Sequence, residues 1–267
     1  MTLKQPIKWH GGKYYLAPWI ITSMPKHLHY VEPYFGGGSV LLQKVYANVS
    51  EVVNDLNGEL MNFWGALKDV EAFEKLTRMA QASPLSEDLF NASLYKTSDD
   101  PIERAFLFFI RARQSRQGLM KSFATLSRNR IRRGMNEQAS SWLGAIEGLP
   151  EIHKRLKGVV VLNHSAIDVI KQQDGDNTFF YCDPPYLHST RTATNAYSFE
   201  MQTADHEKLL ATLGRIKGKF LLSGYPSSLY DEYASKFNWN VKYKSIDNKA
   251  SSSKIKEIKT ECLWYNY

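Results

Sequence analysis

Residues 178–186 read Thr178-Phe179-Phe180-Tyr181-Cys182-Asp183-Pro184-Pro185-Tyr186. A short β-branched and aromatic run predicts a strand over Thr178–Cys182, and it passes directly into Asp-Pro-Pro-Tyr. Two prolines remove two backbone donors and stiffen the turn, so the Asp183 and Tyr186 side chains are held in place. The carbonyl of Asp183 or Pro184 then lacks a strand partner and can serve a ligand as acceptor. The plain alternative is a rigid turn carrying a surface tyrosine.

On either side, runs of the same type recur at His29–Val31, Glu51–Val53, Val159–Leu162 and Lys219–Leu222. Between them, Val40–Ala47, Gly58–Leu67, Ala166–Gln172 and Ala204–Ile216 carry apolar residues at three-to-four spacing, which predicts helices. This alternation predicts a parallel α/β sheet with helices on both faces. Trp239–Tyr243 and Glu261–Tyr265 read as two further strands with no helix between them, an antiparallel pair closing the sheet. From Gly58 to Leu156 no strand is expected. Residues 58–156 therefore read as an inserted helical domain, and the sheet is assembled from residues 1–57 and 157–267.

The chain has 267 residues, 43% hydrophobic and 23% charged, enough to bury a core without covalent staples. Its two cysteines, Cys182 and Cys262, exclude a disulfide framework and a four-cysteine zinc site. No apolar run approaches the roughly 20 residues of a membrane span, and the N-terminal stretch MTLKQPIKWHGGK does not read as a signal peptide. A reducing, cytoplasmic setting is expected. Lys and Arg exceed Asp and Glu by 34 − 27 = 7, and the pI is near 9.2, a balance that suits a polyanionic partner.

The insert concentrates that charge. Arg111, Arg113, Arg116, Lys121, Arg128, Arg130, Arg132 and Arg133 occur with no acid among them. Gln114, Gln117, Asn129, Met120 and Phe123 are interleaved, adding base-edge and stacking chemistry to what could otherwise be a solvated face. Arg128, Arg130, Arg132 and Arg133 are taken as phosphate contacts, and Arg111, Arg113, Gln114, Arg116 and Gln117 as base-edge readers.

A glycine turn, Glu32-Pro33-Tyr34-Phe35-Gly36-Gly37-Gly38-Ser39-Val40, follows the strand ending at Val31 and is expected to open a helix near Ser39. Glycines there permit close backbone approach to a ligand. The dinucleotide fingerprint would need a third glycine where Leu41 stands, and no Gly-Lys-Ser/Thr triplet is present. The turn thus suits a nucleoside without a pyrophosphate. Asp55, after the strand ending at Val53, sits where such sheets hold ribose hydroxyls; it could equally cap the next helix. His206-Glu207 begins a zincin signature, but Leu210 occupies the second histidine position, which discards metal hydrolysis. Asp205 is expected at a helix start, Cys182 as a buried inert thiol, and Tyr225 and Tyr230 as packing residues.

Taken in order, Lys8-Trp9-His10-Gly11-Gly12-Lys13, Glu32 to Val40, Asp55, Asp183 to Tyr186, Asp205-His206, Leu222-Ser223-Gly224-Tyr225 and Leu263-Trp264-Tyr265-Asn266-Tyr267 resemble the Dam-type DNA adenine methyltransferases. The likeness spans nearly the whole chain, and its motif order is that of the family's alpha class. It implies a Rossmann-like methyltransferase sheet, mostly parallel with a terminal antiparallel hairpin, carrying an inserted helical target-recognition domain. It further implies S-adenosylmethionine as cofactor, no metal, and double-stranded DNA as partner; the oligomeric state is open, with a monomer the default. Trp9 and Lys13 would line the methionine end of the cofactor site, and Tyr34, Gly36 and Gly38 its floor. Asp55 would hold the ribose, and the cofactor adenine would meet the Ser165–Asp168 region. Asp183, which would also contact the cofactor, and the Pro184 carbonyl would accept the target amino group, and Tyr186 would stack on the extruded adenine. The insert does not read like that of the GATC-specific members. Two rival functions are the same fold acting on RNA, protein or cytosine, and a non-catalytic DNA-binding module. A Ser-Pro-Pro-Tyr turn would have favoured cytosine.

Overall fold

The protein is described by a computed structural model covering residues 2–45, 47–190, 199–247 and 258–267. Its first half runs α1 (Ala17–Thr22), β1 (His29–Glu32), β2 (Ser50–Asn54), α2 (Gly58–Lys68), α3 (Val70–Gln81), α4 (Glu87–Tyr95) and α5 (Pro101–Gln114). The middle holds β3 (Ile131–Arg132), β4 (Met135–Asn136), α6 (Glu137–Glu147), α7 (Leu149–Leu156) and β5 (Val159–Leu162). Then follow α8 (Ala166–Gln172), β6 (Thr178–Cys182), α9 (Thr203–Leu213), β7 (Lys219–Gly224), α10 (Ser228–Phe237), β8 (Asn240–Asp247) and β9 (Ile258–Tyr265).

Short polar side chains set where several helices begin. Asn57, Asp69, Ser86, Asp100 and Asn136 each accept an amide of the first turn of α2, α3, α4, α5 and α6. Pro101 sits inside the start of α5, where its missing N–H is not needed. The seven-stranded sheet has the order β5-β2-β1-β6-β7-β9-β8. β2, β1, β6 and β7 pair in parallel, and β9 runs antiparallel to both β7 and β8. The mostly parallel sheet and its closing antiparallel pair are those expected from the sequence. Every residue of β6 is buried, as a central strand covered on both faces requires.

The chain divides into two compact units: Met1–Ser23, Gly36–Ala47 and Asn57–Asn163; and Met24–Phe35, Asn48–Leu56 and His164–Tyr267. Residues 58–156 fall in the first. Its core is aromatic: Phe63 stacks on Phe109 with ring centroids 5.6 Å apart, and Trp142 lies 5.1 Å from Phe109. Trp142 also donates its indole N–H to the Ser83 carbonyl at 2.8 Å. The second unit is built on β6 and its neighbours, with Tyr30, Phe179, Phe180, Phe220 and Trp264 fully buried.

Three elements differ from expectation. Val40–Ala47 is not a helix: turns run from Ser39 to Gln43. The Leu42 carbonyl accepts Leu3 N–H at 3.1 Å and the Leu41 carbonyl accepts Arg155, which takes acceptors a helix would have used. The insert does contain strand pairing, the two-residue ladder of β3 and β4. Its turn, Arg133-Gly134, has φ of 56° and 75°, the left-handed pair of a tight hairpin. Finally, α10 separates β7 from β8 and ends on Asn238 in the left-handed region at φ 55°.

One buried side chain ties two turns of the second unit together. Asn54 donates its amide to the carbonyls of Pro33 at 3.0 Å and His164 at 3.1 Å, and accepts the His164 N–H at 2.8 Å. Its own carbonyl accepts Phe35 N–H at 2.9 Å. Asn54→Ala leaves buried backbone groups without their partners, so a loss of about 3 kcal/mol is expected in denaturant unfolding. A loss below about 1 kcal/mol would mean that water takes over these bonds.

Candidate active site

β2, β1 and β6 are parallel neighbours, so Asn54-Asp55, Glu32–Phe35 and Asp183–Tyr186 leave the sheet at one carboxyl edge. Open α/β sheets bind ligands outside that edge. Asp55 is half-buried there. The capping alternative for it falls, because Asn57 accepts the Leu60 N–H at 3.1 Å and caps α2. Ser165 and Asp168 are exposed at the start of α8.

The Asp-Pro-Pro-Tyr turn follows β6 with Asp183 half-buried and Pro184 buried. Tyr186 is only 6% exposed; its phenol donates to the carboxylate of Glu261 on β9, itself 1% exposed. Tyr225 meets the Tyr186 ring edge-on, centroids 4.8 Å apart at 79°. Burial, with the negative charge of Glu261, pushes the Tyr186 phenol well above the usual tyrosine range, so it remains a donor. Tyr34 is likewise pushed up by burial. Glu32, buried at the end of β1, accepts the Tyr30 hydroxyl at 3.0 Å.

The neighbouring residues take the packing roles expected of them. Cys182 is fully buried, and burial raises its thiol far above the usual range, so it is no nucleophile. Tyr230 is buried 4.9 Å from Trp264 and shares a 2.8 Å hydrogen bond with His206 Nδ1. Asp205 accepts the Gln202 N–H at 3.0 Å and thereby closes the first turn of α9. Glu261 and Asn54 are the residues the sequence did not single out. A carboxylate directly before the apolar run Cys262–Tyr265 of β9 and an asparagine ending β2 were the available signals.

In the first unit the glycine turn is fixed by side chains. Gly36 and Gly38 have φ of 50° and 71°. A Cβ at Gly36 would lie 2.6 Å from Trp9 Nε1, and one at Gly37 2.7 Å from Trp9 Cβ. Trp64 donates to the Gly36 carbonyl at 3.0 Å, and Gln5 to that of Gly37 at 2.9 Å. Gly36 is thus required first by the Trp9 indole packed on it, and Gly37 by the Gln5 amide and the Trp9 Cβ. Lys13 is buried, and its ammonium donates to the Gly11 carbonyl at 3.0 Å.

The basic stretch separates by burial. Gln114, expected to read a base edge, is fully buried; it accepts the Ser86 N–H at 3.2 Å and donates to the Pro84 carbonyl at 3.2 Å. Its position on the inner face of α5 makes it a loop anchor instead. Arg113 donates to the carbonyl and hydroxyl of Ser141, both at 2.8 Å, and Arg111 to the Ser93 carbonyl at 2.7 Å. Burial lowers the affinity of both guanidiniums for their protons. Arg116, Gln117, Lys121, Arg128, Arg130, Arg132 and Arg133 are exposed. Arg133 pairs bidentately with Glu147 at 2.9 and 2.8 Å, and Arg130 reaches Glu137 at 3.5 Å. Among the described residues, Arg116, Lys121, Arg128 and Arg132 pair with no carboxylate.

Lys8 lies beside this stretch and donates to the Ser115 carbonyl at 3.2 Å and to Gln138 at 3.1 Å. Burial, then the charge of Arg113, lowers it from the ordinary 10.5 to about 8. Between those values the unfolded chain binds the extra proton, so this group makes stability rise with pH. Compared with Lys8→Met, the wild type is expected to gain relative stability from pH 7.5 to about 9.5 in parallel urea titrations. Equal slopes for the two proteins would refute the lowered value.

A mostly parallel seven-stranded α/β sheet, closed by an antiparallel pair and carrying its polar turns at the carboxyl edge, is the Rossmann-like fold of methyltransferases. The family model for D12 class N6 adenine-specific DNA methyltransferases matches residues 9–259, and the chain belongs to that family. The expected enzyme class is thereby confirmed. Similar curated proteins include the type II methyltransferase M1.LlaDCHI of Lactococcus lactis subsp. cremoris, 28% identical over an alignment covering 100% of this chain and 96% of the relative. The DNA adenine methylase of Escherichia coli (strain K12) is 28% identical, covering 73% of this chain and 72% of the relative. The type II methyltransferase M.MjaIII of Methanocaldococcus jannaschii is 25% identical, covering 78% of each. No helix among the described residues is long and apolar enough to cross a membrane.

Proposed function

We propose that this chain transfers a methyl group from S-adenosylmethionine to the exocyclic amino group of an adenine flipped out of double-stranded DNA. The observation that carries this reading is the parallel pairing of β2, β1 and β6, which delivers Asp55, Tyr34 and the Asp183–Tyr186 turn to one sheet edge. The donor set fits the cofactor: Asp55 is half-buried, is not the cap of α2, and offers a carboxylate to ribose hydroxyls. Trp9 and Lys13 would line the methionine end, Tyr34, Gly36 and Gly38 would form the floor, and the Ser165–Asp168 region, exposed at the start of α8, would meet the adenine. Bound S-adenosylmethionine supplies an electrophilic methyl group.

The target nitrogen is a poor nucleophile because its lone pair is delocalised into the purine ring. Asp183 and the Pro184 carbonyl accept its two hydrogens and favour a pyramidal nitrogen, directing the lone pair outward. This is positioning and electrostatic stabilisation, with no covalent intermediate and no metal. A paired base cannot present that nitrogen, so it must leave the stack at a cost of a few kcal/mol. Stacking on Tyr186 returns roughly 1–3 kcal/mol.

Residues 58–156 serve as the target-recognition domain of a monomeric, cytoplasmic enzyme. Gln114 no longer belongs among its DNA contacts, and Arg111 and Arg113 are engaged with backbone. Arg116, Gln117, Lys121, Arg128, Arg130, Arg132 and Arg133 remain. Replacing Arg128 and Arg132 with alanine is expected to weaken DNA binding at any sequence and to flatten the slope of log K against log salt by about 1 to 2 units. An unchanged slope would reduce the stretch to a solvated face. The function is tested with methyl-labelled S-adenosylmethionine and double-stranded DNA in a chelator: label should pass to DNA at the same rate with or without it. Transfer abolished by the chelator and restored by a divalent ion would contradict the metal-free mechanism.

A further inference from the structure

We infer that Glu261 is a positioning residue that fixes the ring of Tyr186. This rests on the adenine-methylation reading and adds a residue to its site. The two prolines before Tyr186 restrain its backbone, yet the ring can still turn about its side-chain torsions. A ring that stacks on an extruded base must hold one plane, and Tyr186 has two restraints that set it. Its hydroxyl donates to Glu261 Oε1, and Tyr225 stands edge-on at 4.8 Å. Lys259 in turn lies 5.0 Å over the Tyr225 ring. Lys259 and Glu261 are two apart on β9 and share one face, so the closing strand of the sheet supports the catalytic turn from behind.

The burial of Glu261 points the same way. At 1% exposure a carboxylate is a costly choice for a strand position, and an apolar residue would pack there at less expense in desolvation. What a carboxylate adds is a strong directional acceptor for the Tyr186 phenol. Glu261 touches no reacting atom in this account; it acts through Tyr186.

The test uses full-length protein and unmethylated bacterial genomic DNA, with kcat and the KM for S-adenosylmethionine measured for Glu261→Ala, Glu261→Gln, Tyr186→Phe and the Glu261→Ala/Tyr186→Phe pair. Glu261→Ala and Tyr186→Phe should each lower kcat about tenfold with KM within about twofold, because one charge-assisted bond is lost in both. The double variant should match either single, and Glu261→Gln, whose amide oxygen still accepts, should recover to within about threefold of wild type. Additive losses, or a kcat per folded molecule that Glu261→Ala leaves unchanged, would overturn the inference. Should Glu261→Ala not fold, Tyr186→Phe decides, and an unchanged kcat there overturns it equally. A wild type that transfers no methyl group to adenine overturns the functional reading itself; a fully active wild type with indifferent Glu261 variants overturns this inference alone.

Discussion

Asp183→Ala is expected to lower methyl-transfer turnover by about 10²–10³-fold or more while S-adenosylmethionine affinity changes only a few-fold. The carboxylate leaves β6 on a turn that Pro184 and Pro185 hold rigid, so its acceptor is in place before the base arrives. A preorganised acceptor of this kind acts mainly on the transition state, in which the amino nitrogen becomes pyramidal. Removing it leaves the fold of β6 intact, since Phe179, Phe180, Tyr181 and Cys182 keep their burial without it. Equilibrium binding of the cofactor and single-turnover transfer separate the two quantities. Turnover within about threefold of wild type would remove Asp183 from the chemistry.

Gly36→Ala should be nearly as damaging, by a different route. Gly36 has φ 50°, which costs an L-residue roughly 1–2 kcal/mol, and its new Cβ would sit 2.6 Å from Trp9 Nε1. The indole must swing away, and the Trp64 hydrogen bond to the Gly36 carbonyl is strained with it. Loss of cofactor affinity by more than about tenfold and a lower melting temperature are expected. In a Trp9→Ala background the same substitution should cost less, because the clash is gone and only the backbone strain remains. Equal costs in both backgrounds would show that Trp9 is not what the glycine accommodates.

Much of the sheet could be read from the sequence because its strands are short and β-branched or aromatic, and several are separated by stretches of helical periodicity. His29–Glu32 and Thr178–Cys182 fall where those patterns put them. The closing pair takes in the expected Trp239–Tyr243 run from Asn240 and all of Glu261–Tyr265, but extends to Asp247 in β8 and back to Ile258 in β9. The stretch after Gly38 misled for a physical reason. Leu41 and Leu42 stand at helical spacing from Val45, but Leu3 and Arg155 claim carbonyls that a helix needs, and no periodicity records a long-range acceptor. The Arg133-Gly134 hairpin lacks the Asn-Gly signature and pairs only two residues a side, below what alternation can reveal.

The site was legible in its motifs and less so in its supports. The Asp-Pro-Pro-Tyr and glycine turns announced themselves, whereas the reason for Gly36 lay in Trp9, 27 positions earlier, and that for Gly37 in Gln5 as well as Trp9. Gln114 looked like a base reader because its neighbours are basic. Its place on the buried side of α5 depends on the Pro84–Ser86 loop, which local sequence does not announce. Glu261 carried one signal, a charge directly before the apolar run Cys262–Tyr265, and the Tyr186 phenol it accepts is 75 residues away.

The most direct measurement is nucleoside analysis of double-stranded DNA after incubation with the protein and methyl-labelled S-adenosylmethionine. Label is expected in N6-methyl-2′-deoxyadenosine, at a restricted set of sequences, and is expected to be lost with Asp183→Ala. Label in methylated cytosine, or cofactor binding with no transfer to any base, would contradict that expectation.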